Sequence, residues 1–529
     1  MPAERGDALA RRLALLVFAA LGLYVAFAWD QHGISNDEEV QHVYGRLLVD
    51  FYTSGLQDLA AFTYKNLYLY GGFFDLIAAG LERVLPASIS VWDLRHLLSA
   101  GFGLAGLAAV WQLGRVLGGE RAGLFALLCL TLTGAWIGGM FTHTKDVPFA
   151  SCMTWALYFT TRIVTALPRP PWRWRVGLGV AVGCALGLRV GAVFAVFYLG
   201  LALIVATLLV GPPGERWAYF WRSVMGLVPA GLIAVVLMGV FWPWSVMAPG
   251  NLLQAATAFS HFSFLLHTIV DGQVYLNGQV PRTYLLSYLS VRLPEILLLG
   301  LLWTVLLAPF HRRDERAVPS VSGAALFPLL LAATFPIAFT LATQPALYNG
   351  TRHFLFVIPP LAVLAGLGWR RLAGFGRGGA LIAGAAIVGL SAFHGLTLAR
   401  LHPYEYVAYN QWVGGLPGAQ GKWETDYWGD TIRPAARLLT NYVAREGLAD
   451  KGPWPVAVCA ESIQAAAYLG PEFEVTRDWR RADFFISPTH MDCDSAVKGQ
   501  VIGTIDRLGV TLAVVKDRRA LVGDERTPR

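Results

Sequence analysis

Residues 11–45 read RRLALLVFAALGLYVAFAWDQHGISNDEEVQHVYG. A basic start leads into an unbroken apolar run, Leu13 to Trp29, long enough to enter a bilayer, and a few residues later Asp37, Glu38 and Glu39 stand together. Polar WDQHG follows the run instead of a small-residue cleavage site, so it is expected to be a retained span and not a removable leader. This reading decides the fold class. The 529-residue chain is 55% hydrophobic and 15% charged, with a mean hydropathy of +0.50, far from the roughly 25% charged fraction of an ordinary soluble domain. The expectation is an α-helical polytopic membrane protein.

A window of about 19 residues gives about eleven candidate spans. They lie near 11–29, 96–114, 122–140, 147–165, 176–190, 191–210, 222–241, 284–309, 321–342, 353–369 and 379–398. The formal charge of +7 marks topology more than an acidic partner, and no nucleic acid is expected to bind. With the N-terminus in the cytoplasm, Arg11, Arg12, Arg115, Arg121, Arg162, Arg169, Arg173, Arg175, Arg216, Arg222, Arg312, Arg313, Arg316, Arg370, Arg371 and Arg377 fall at the inner face. The short loops opposite carry little besides Lys145 and Arg352, which is the distribution of the positive-inside rule.

In this topology residues 1–399 form the membrane domain, with external loops at 30–95 and 242–283, and residues 400–529 form an external tail. The stretches EEVQHVYGRLLVDFYTSG and NLYLYGGFFDLIAAGLERVLP mix apolar and polar positions at helical spacing and are expected to lie as interfacial helices over a cavity. In the tail, RPAARLLTNYVAREG is expected as a helix and WPVAVCA, ADFFIS and TLAVVKD as strands, giving a small α/β domain. Cys459 and Cys493 share that tail; spacing alone leaves both a disulfide and two buried free thiols open.

Charges near the outer face are the candidates for chemistry. Asp37 and Glu38 read either as a solvated helix N-terminus or as a general base at the mouth of a membrane cavity. FTHTKDVPFA (141–150) places Lys145 and Asp146 in a short outer loop, YNGTRHFLFVIPP (348–360) places Arg352 at another span end, and Arg95 begins the second span from the same side. Each alone is an ordinary span-end charge, but converging they read as a base with a phosphate clamp. His143, Asp146, Tyr348 and His353 in the same segments, and His261 and Arg282 in the second long loop, are further candidates for touching substrate. Gly-rich phosphate loops, zinc-type spacings and nucleophile elbows are absent from the sequence, which argues against nucleotide-driven chemistry.

An acidic pair just after the first span resembles the protein O-mannosyltransferases and the wider GT-C group of membrane glycosyltransferases. Arg352-His353-Phe354-Leu355 with Pro359-Pro360, and the TKDVPF loop, resemble the bacterial branch that includes the lipid A aminoarabinose transferases; HPYEYVAYN and GKWETDYWG resemble a segment after the last span in bacterial relatives. NLYLYGG stands where the protein mannosyltransferases carry a His-Pro-Pro-rich stretch. The resemblance implies a GT-C fold and inverting transfer from a polyprenyl-phosphate sugar, with membrane lipid around it, at the outer side of a bacterial cytoplasmic membrane. It implies Asp37 as base with Glu38 in support, and Lys145, Arg352 and Arg95 on the donor phosphate. No obligatory metal or cofactor is expected, although a divalent cation is compatible with such acids. The competing class is a transporter or flippase of a lipid-linked substrate, which needs the same spans and groove but has no use for the acids.

Overall fold

The computed structural model describes residues 2–260, 265–310 and 323–521. Arg312, Arg313, Arg316 and His261 lie outside the described residues. Helices dominate up to Leu401, and a five-stranded sheet lies in the tail. Among the described residues, seven helices are long and apolar enough to cross a membrane, and Tyr284–Arg292 with Glu295–Leu306 adds an eighth if that pair, bent by 113°, counts as one span.

That is fewer than the expected eleven or so, for local reasons. Val91–Thr131 runs through two spans' worth of sequence because Gly119, at φ 78°, turns the chain back in the left-handed region without a Cβ to clash. The expected span at 122–140 is not one helix: after Thr131 the chain continues as the short helices Gly134–Ile137 and Gly139–Thr142. Asp146–Val164 and Trp172–Leu186 fall outside the seven. The first is nevertheless an inner helix, and its buried Thr154 and Thr161 donate to the carbonyls of Ala150 and Leu157 at 2.7 and 2.9 Å, so burying these hydroxyls costs little.

Close approach of backbones holds the bundle together. Helix Ile358–Ala373 is almost wholly buried and lies against Val91–Thr131. A Cβ at Gly366 would stand 2.6 Å from the Ala126 nitrogen and 2.7 Å from the Ala122 carbonyl oxygen. Small residues at such a crossing let helices pack by dispersion where lipid offers no hydrophobic drive.

Both amphipathic stretches of the first loop are helices, Glu38–Thr53 and Phe73–Val84, packed on each other. The second loop carries a hairpin, β1 His267–Val270 and β2 Gln273–Leu276, whose Val270 bridges Trp423 of the tail. Residues 402–431 wind irregularly over the end of the bundle before the tail helix Ile432–Arg445 begins. The tail strands are β3 Trp454–Val458, β4 Phe473–Thr476, β5 Phe484–Pro488, β6 Gln500–Arg507 and β7 Val510–Asp517. Their order is β4-β3-β5-β7-β6, with β3 parallel to both neighbours and β7 antiparallel to both of its own. Cys459 and Cys493 form a disulfide, resolving the two readings left open by spacing.

The tail grips the first loop. Asp430 accepts a hydrogen bond from the Gly33 amide, Gln464 Nε2 donates to the Ile34 and Trp428 carbonyls, and Arg433 Nη1 donates to the His32 carbonyl at 2.6 Å and to Asp93 at 3.1 Å. Asn36 Nδ2 donates to the Tyr427 carbonyl at 2.9 Å. The loop before the acids is therefore held by the tail's side chains. Burial, with Asp426 beside it, pushes the Asp430 carboxyl well above the usual carboxylate range.

Gly366→Ala is expected to push the central helix off Ala122 and Ala126, at about 1–3 kcal/mol for an overpacked contact. Thermal unfolding in detergent followed by tryptophan fluorescence should show a lower transition than wild type, whereas Gly389→Ala, where no atom lies within 4 Å of the added Cβ, should not.

Candidate active site

The helix that starts at Glu38 has Asp37 at its N-cap, yet the Asp37 side chain makes no capping bond. Glu38 is the acid that turns inward. Fully buried, its Oε2 accepts from the Ser35 amide at 2.7 Å and lies 3.1 Å from His96 Nε2, while Oε1 lies 3.8 Å from Arg95 Nε. Burial alone would raise its pKa, but His96, Arg95 and the Ser35 amide outweigh that and hold it below the usual carboxylate range. With Glu38 fixed, Asp37 is left pointing out: its side chain is 46% exposed, and its Oδ2 sits 3.3 Å from Arg352 Nη2.

Below Asp37 the charges are almost fully withdrawn from water. Arg352 is 7% exposed, lies over the Trp428 ring at 4.2 Å and the Tyr348 ring at 5.4 Å, and has Nε 3.8 Å from Asp146 Oδ2. Asp146 also pairs with Arg189, so one carboxylate bridges two guanidinium groups. Lys145 Nζ stands over the Tyr70 ring at 4.7 Å and 3.9 Å from Asp75 Oδ2. Burial, reinforced by Arg189 and Arg95, pulls the Lys145 pKa down in spite of Asp75 and Asp37. A phosphate arriving beside Lys145 restores the preference for the ammonium form.

The structure brings Asp37, Lys145, Asp146, Tyr348 and Arg352 together, as the sequence leads one to expect. His353 meets the ring of Tyr348 at 4.6 Å. Both nitrogens of buried His143 are engaged, by the Tyr427 hydroxyl at 2.8 Å and the Thr142 hydroxyl at 3.2 Å. Two expectations change. Arg95 is fully buried, its Nη2 donating to Asp75 at 2.9 Å and Gln41 at 3.3 Å, so it holds the acidic loop and Asp75 in place. Arg282 is remote from this cluster in function: its Nη1 donates to the Leu341 and Ala342 carbonyls and satisfies the C-terminal end of helix Gly323–Thr343.

Asp75, Arg189, Tyr427 and Trp428 complete the site without having been singled out from the sequence. Arg189 carried a signal, a lone cation between two apolar stretches. Asp75 carried a fainter one, a single acid in FFDLIAA. Among the described residues no three His, Cys, Asp or Glu side chains converge as a metal-binding group.

This arrangement, a half-exposed carboxylate above buried cations at the end of a helix bundle, suits the handling of an anionic, lipid-borne substrate. Residues 90–244 match the family model "Dolichyl-phosphate-mannose-protein mannosyltransferase". The resemblance to membrane glycosyltransferases is borne out there, in the segment that holds Arg95, Lys145, Asp146 and Arg189. No curated protein matches the chain. Among solved structures it is similar to ArnT from Cupriavidus metallidurans in the apo state, at 17% identity and a TM-score of 0.49 over 97% of this chain and 99% of that one. The same protein bound to undecaprenyl phosphate aligns at 17% identity and 0.47, over 95% and 97%. The oligosaccharyltransferase AglB from Archaeoglobus fulgidus, in complex with an inhibitory peptide and a dolichol-phosphate, aligns at 12% identity and 0.46 over 90% and 69%.

The two acids of the site separate by burial. Asp75→Asn leaves buried Lys145 without its carboxylate and Arg95 with Glu38 alone, a loss of about 3–5 kcal/mol for a broken buried pair, whereas Asp37→Asn removes a half-exposed partner with a cost of about 0–1 kcal/mol. Thermal unfolding of the two variants side by side should show a large drop for Asp75→Asn and a wild-type-like transition for Asp37→Asn.

Proposed function

We propose that the protein is an inverting glycosyltransferase that moves a sugar from a polyprenyl-phosphate donor to a hydroxyl acceptor. The observation that carries this reading is the position of Asp37: a carboxylate open to solvent, unused in capping its helix, directly above Arg352, Asp146 and Lys145. The match of residues 90–244 to a family named for a dolichyl-phosphate sugar supports the class of donor.

In this reading the donor phosphate lies on the floor made by Lys145, Arg352 and Arg189, displacing Arg352 from Asp37. Asp37 takes the proton of the acceptor hydroxyl, whose oxygen attacks the anomeric carbon from the face opposite the phosphate. The anomeric C–O bond breaks, and the electron pair leaves with the lipid phosphate. One displacement inverts the configuration. Preorganised cations beside the leaving oxygen, in a site shielded from water, stabilise the charge that develops there. Glu38, turned inward, holds the loop and leaves a single acid to serve as base. Charge on the phosphate is met by side chains, so the reading requires no obligatory divalent cation. The paired Cys459 and Cys493 support a tail in an oxidising compartment, and with it a site on the outer face of the cytoplasmic membrane. The acceptor, whether glycan, lipid or protein, is left to the assay.

Purified protein in detergent, given radiolabelled polyprenyl-phosphate sugars and a membrane extract as acceptor source, is expected to release label from one donor. Asp37→Asn should lower that turnover by about 10²- to 10⁴-fold, the usual contribution of a general base, while donor binding survives. Turnover within a few-fold of wild type would remove Asp37 from the chemistry; binding without release by wild type, accompanied by movement of the lipid across vesicles, would point to a flippase.

A further inference from the structure

Helix Asp146–Val164 carries one end of the site and then runs away from it. From Lys145 to Arg162 is about 25 Å of helix at 1.5 Å per residue, and from Arg95 to Gln112 on the neighbouring helix the span is similar. At that far end a cavity of about 300 Å³ opens, lined by Trp155, Tyr158, Phe159 and Trp174 together with Arg162, Arg173 and Gln112. It shares no residue with the site around Asp37.

The charges there are unbalanced. Arg162 lies over the Trp174 ring at 4.3 Å and Arg173 at 5.5 Å. Neither has a carboxylate partner among the described residues, and the buried Nε of Arg162 has no hydrogen-bond partner at all. Two other arginines at this end have a carboxylate partner, Arg115 in Glu120 at 2.6 Å and Arg222 in Glu215 at 3.0 Å. A guanidinium donor withdrawn from water with nothing to bond is costly, so Arg162, with exposed Arg173 beside it on the same aromatic wall, favours an anion with several acceptor oxygens. Exposed Trp172 and Trp217, 57% and 73% accessible at the same end, are side chains of the kind that settle at headgroup level.

We propose that this cavity binds the phosphate of an anionic membrane phospholipid, with Arg162 and Arg173 on the phosphate oxygens and the aromatic wall against the glycerol and upper acyl chain. The rings favour a lipid over a free anion, because inorganic phosphate has no apolar part to place against an aromatic wall. The site is separate from the donor site, and its occupant is a bulk lipid, not a substrate.

The test is native mass spectrometry of the full-length protein released from detergent with equimolar phosphatidylglycerol and phosphatidylcholine. Wild type is expected to retain phosphatidylglycerol preferentially, and Arg162→Gln/Arg173→Gln to lose that preference by roughly twenty-fold, since each basic side chain near an anionic lipid contributes about 1 kcal/mol, or a factor of about five. Arg173→Gln alone, at an exposed position that folding does not depend on, should lose about five-fold and decides the matter if the double variant does not elute as a single species. Equal retention of the two lipids by wild type, or an unchanged preference in either variant, overturns the proposal. Displacement of the lipid by millimolar inorganic phosphate would reassign the cavity to a soluble anion and overturn it as well.

Discussion

One buried carboxylate sets the geometry from which the rest of the site follows. Glu38 sits without solvent among Ser35, His96 and Arg95, and a charge held there is tolerable only because a ring nitrogen, a guanidinium and an amide share it. His96 and Arg95 come from the helix beginning at Val91, so the ion pair ties the first loop to the bundle. It also divides labour between neighbours in sequence. Adjacent residues at a helix start point in different directions, and once Glu38 is committed inward, Asp37 must face the opening and Arg352.

The same logic governs the floor. Asp146 lies between Arg189 and Arg352, and Asp75 between Arg95 and Lys145. Each acid is shared by two cations, so none of these charges is left alone in a medium of low dielectric. Trp428, Tyr348 and Tyr70 supply ring faces to the same cations, holding them in place at little cost in polarity.

Much of this was legible before any coordinates. Apolar runs gave the helices, positive charges gave their ends, and a few charged residues at the other ends gave Asp37, Lys145 and Arg352. What failed did so for identifiable reasons. A hydropathy window merges or divides runs without knowing that Gly119 reverses the chain or that the helix ends at Thr131. It cannot distinguish an arginine at an opening from one buried against Asp75 and Glu38, as Arg95 is, or one bonded to helix carbonyls, as Arg282 is. Trp428 was visible only as part of a motif of unknown use, because its partner lies 76 residues upstream at Arg352. Asp75 and Arg189 are single charges in apolar segments, and their partners are set by tertiary packing.

The tail's hold on the first loop has a consequence for the order in which the molecule comes into being. Loop residues 32–36 emerge from the ribosome among the first, but the groups that anchor them, Tyr427, Asp430, Arg433 and Gln464, are among the last third to be made. Through most of synthesis the loop lacks its clamp, and Arg352, once made, lacks the Trp428 ring until 76 further residues are added. The site is finished only when the final domain has docked on the loop, so its assembly waits for the part of the chain that is made last.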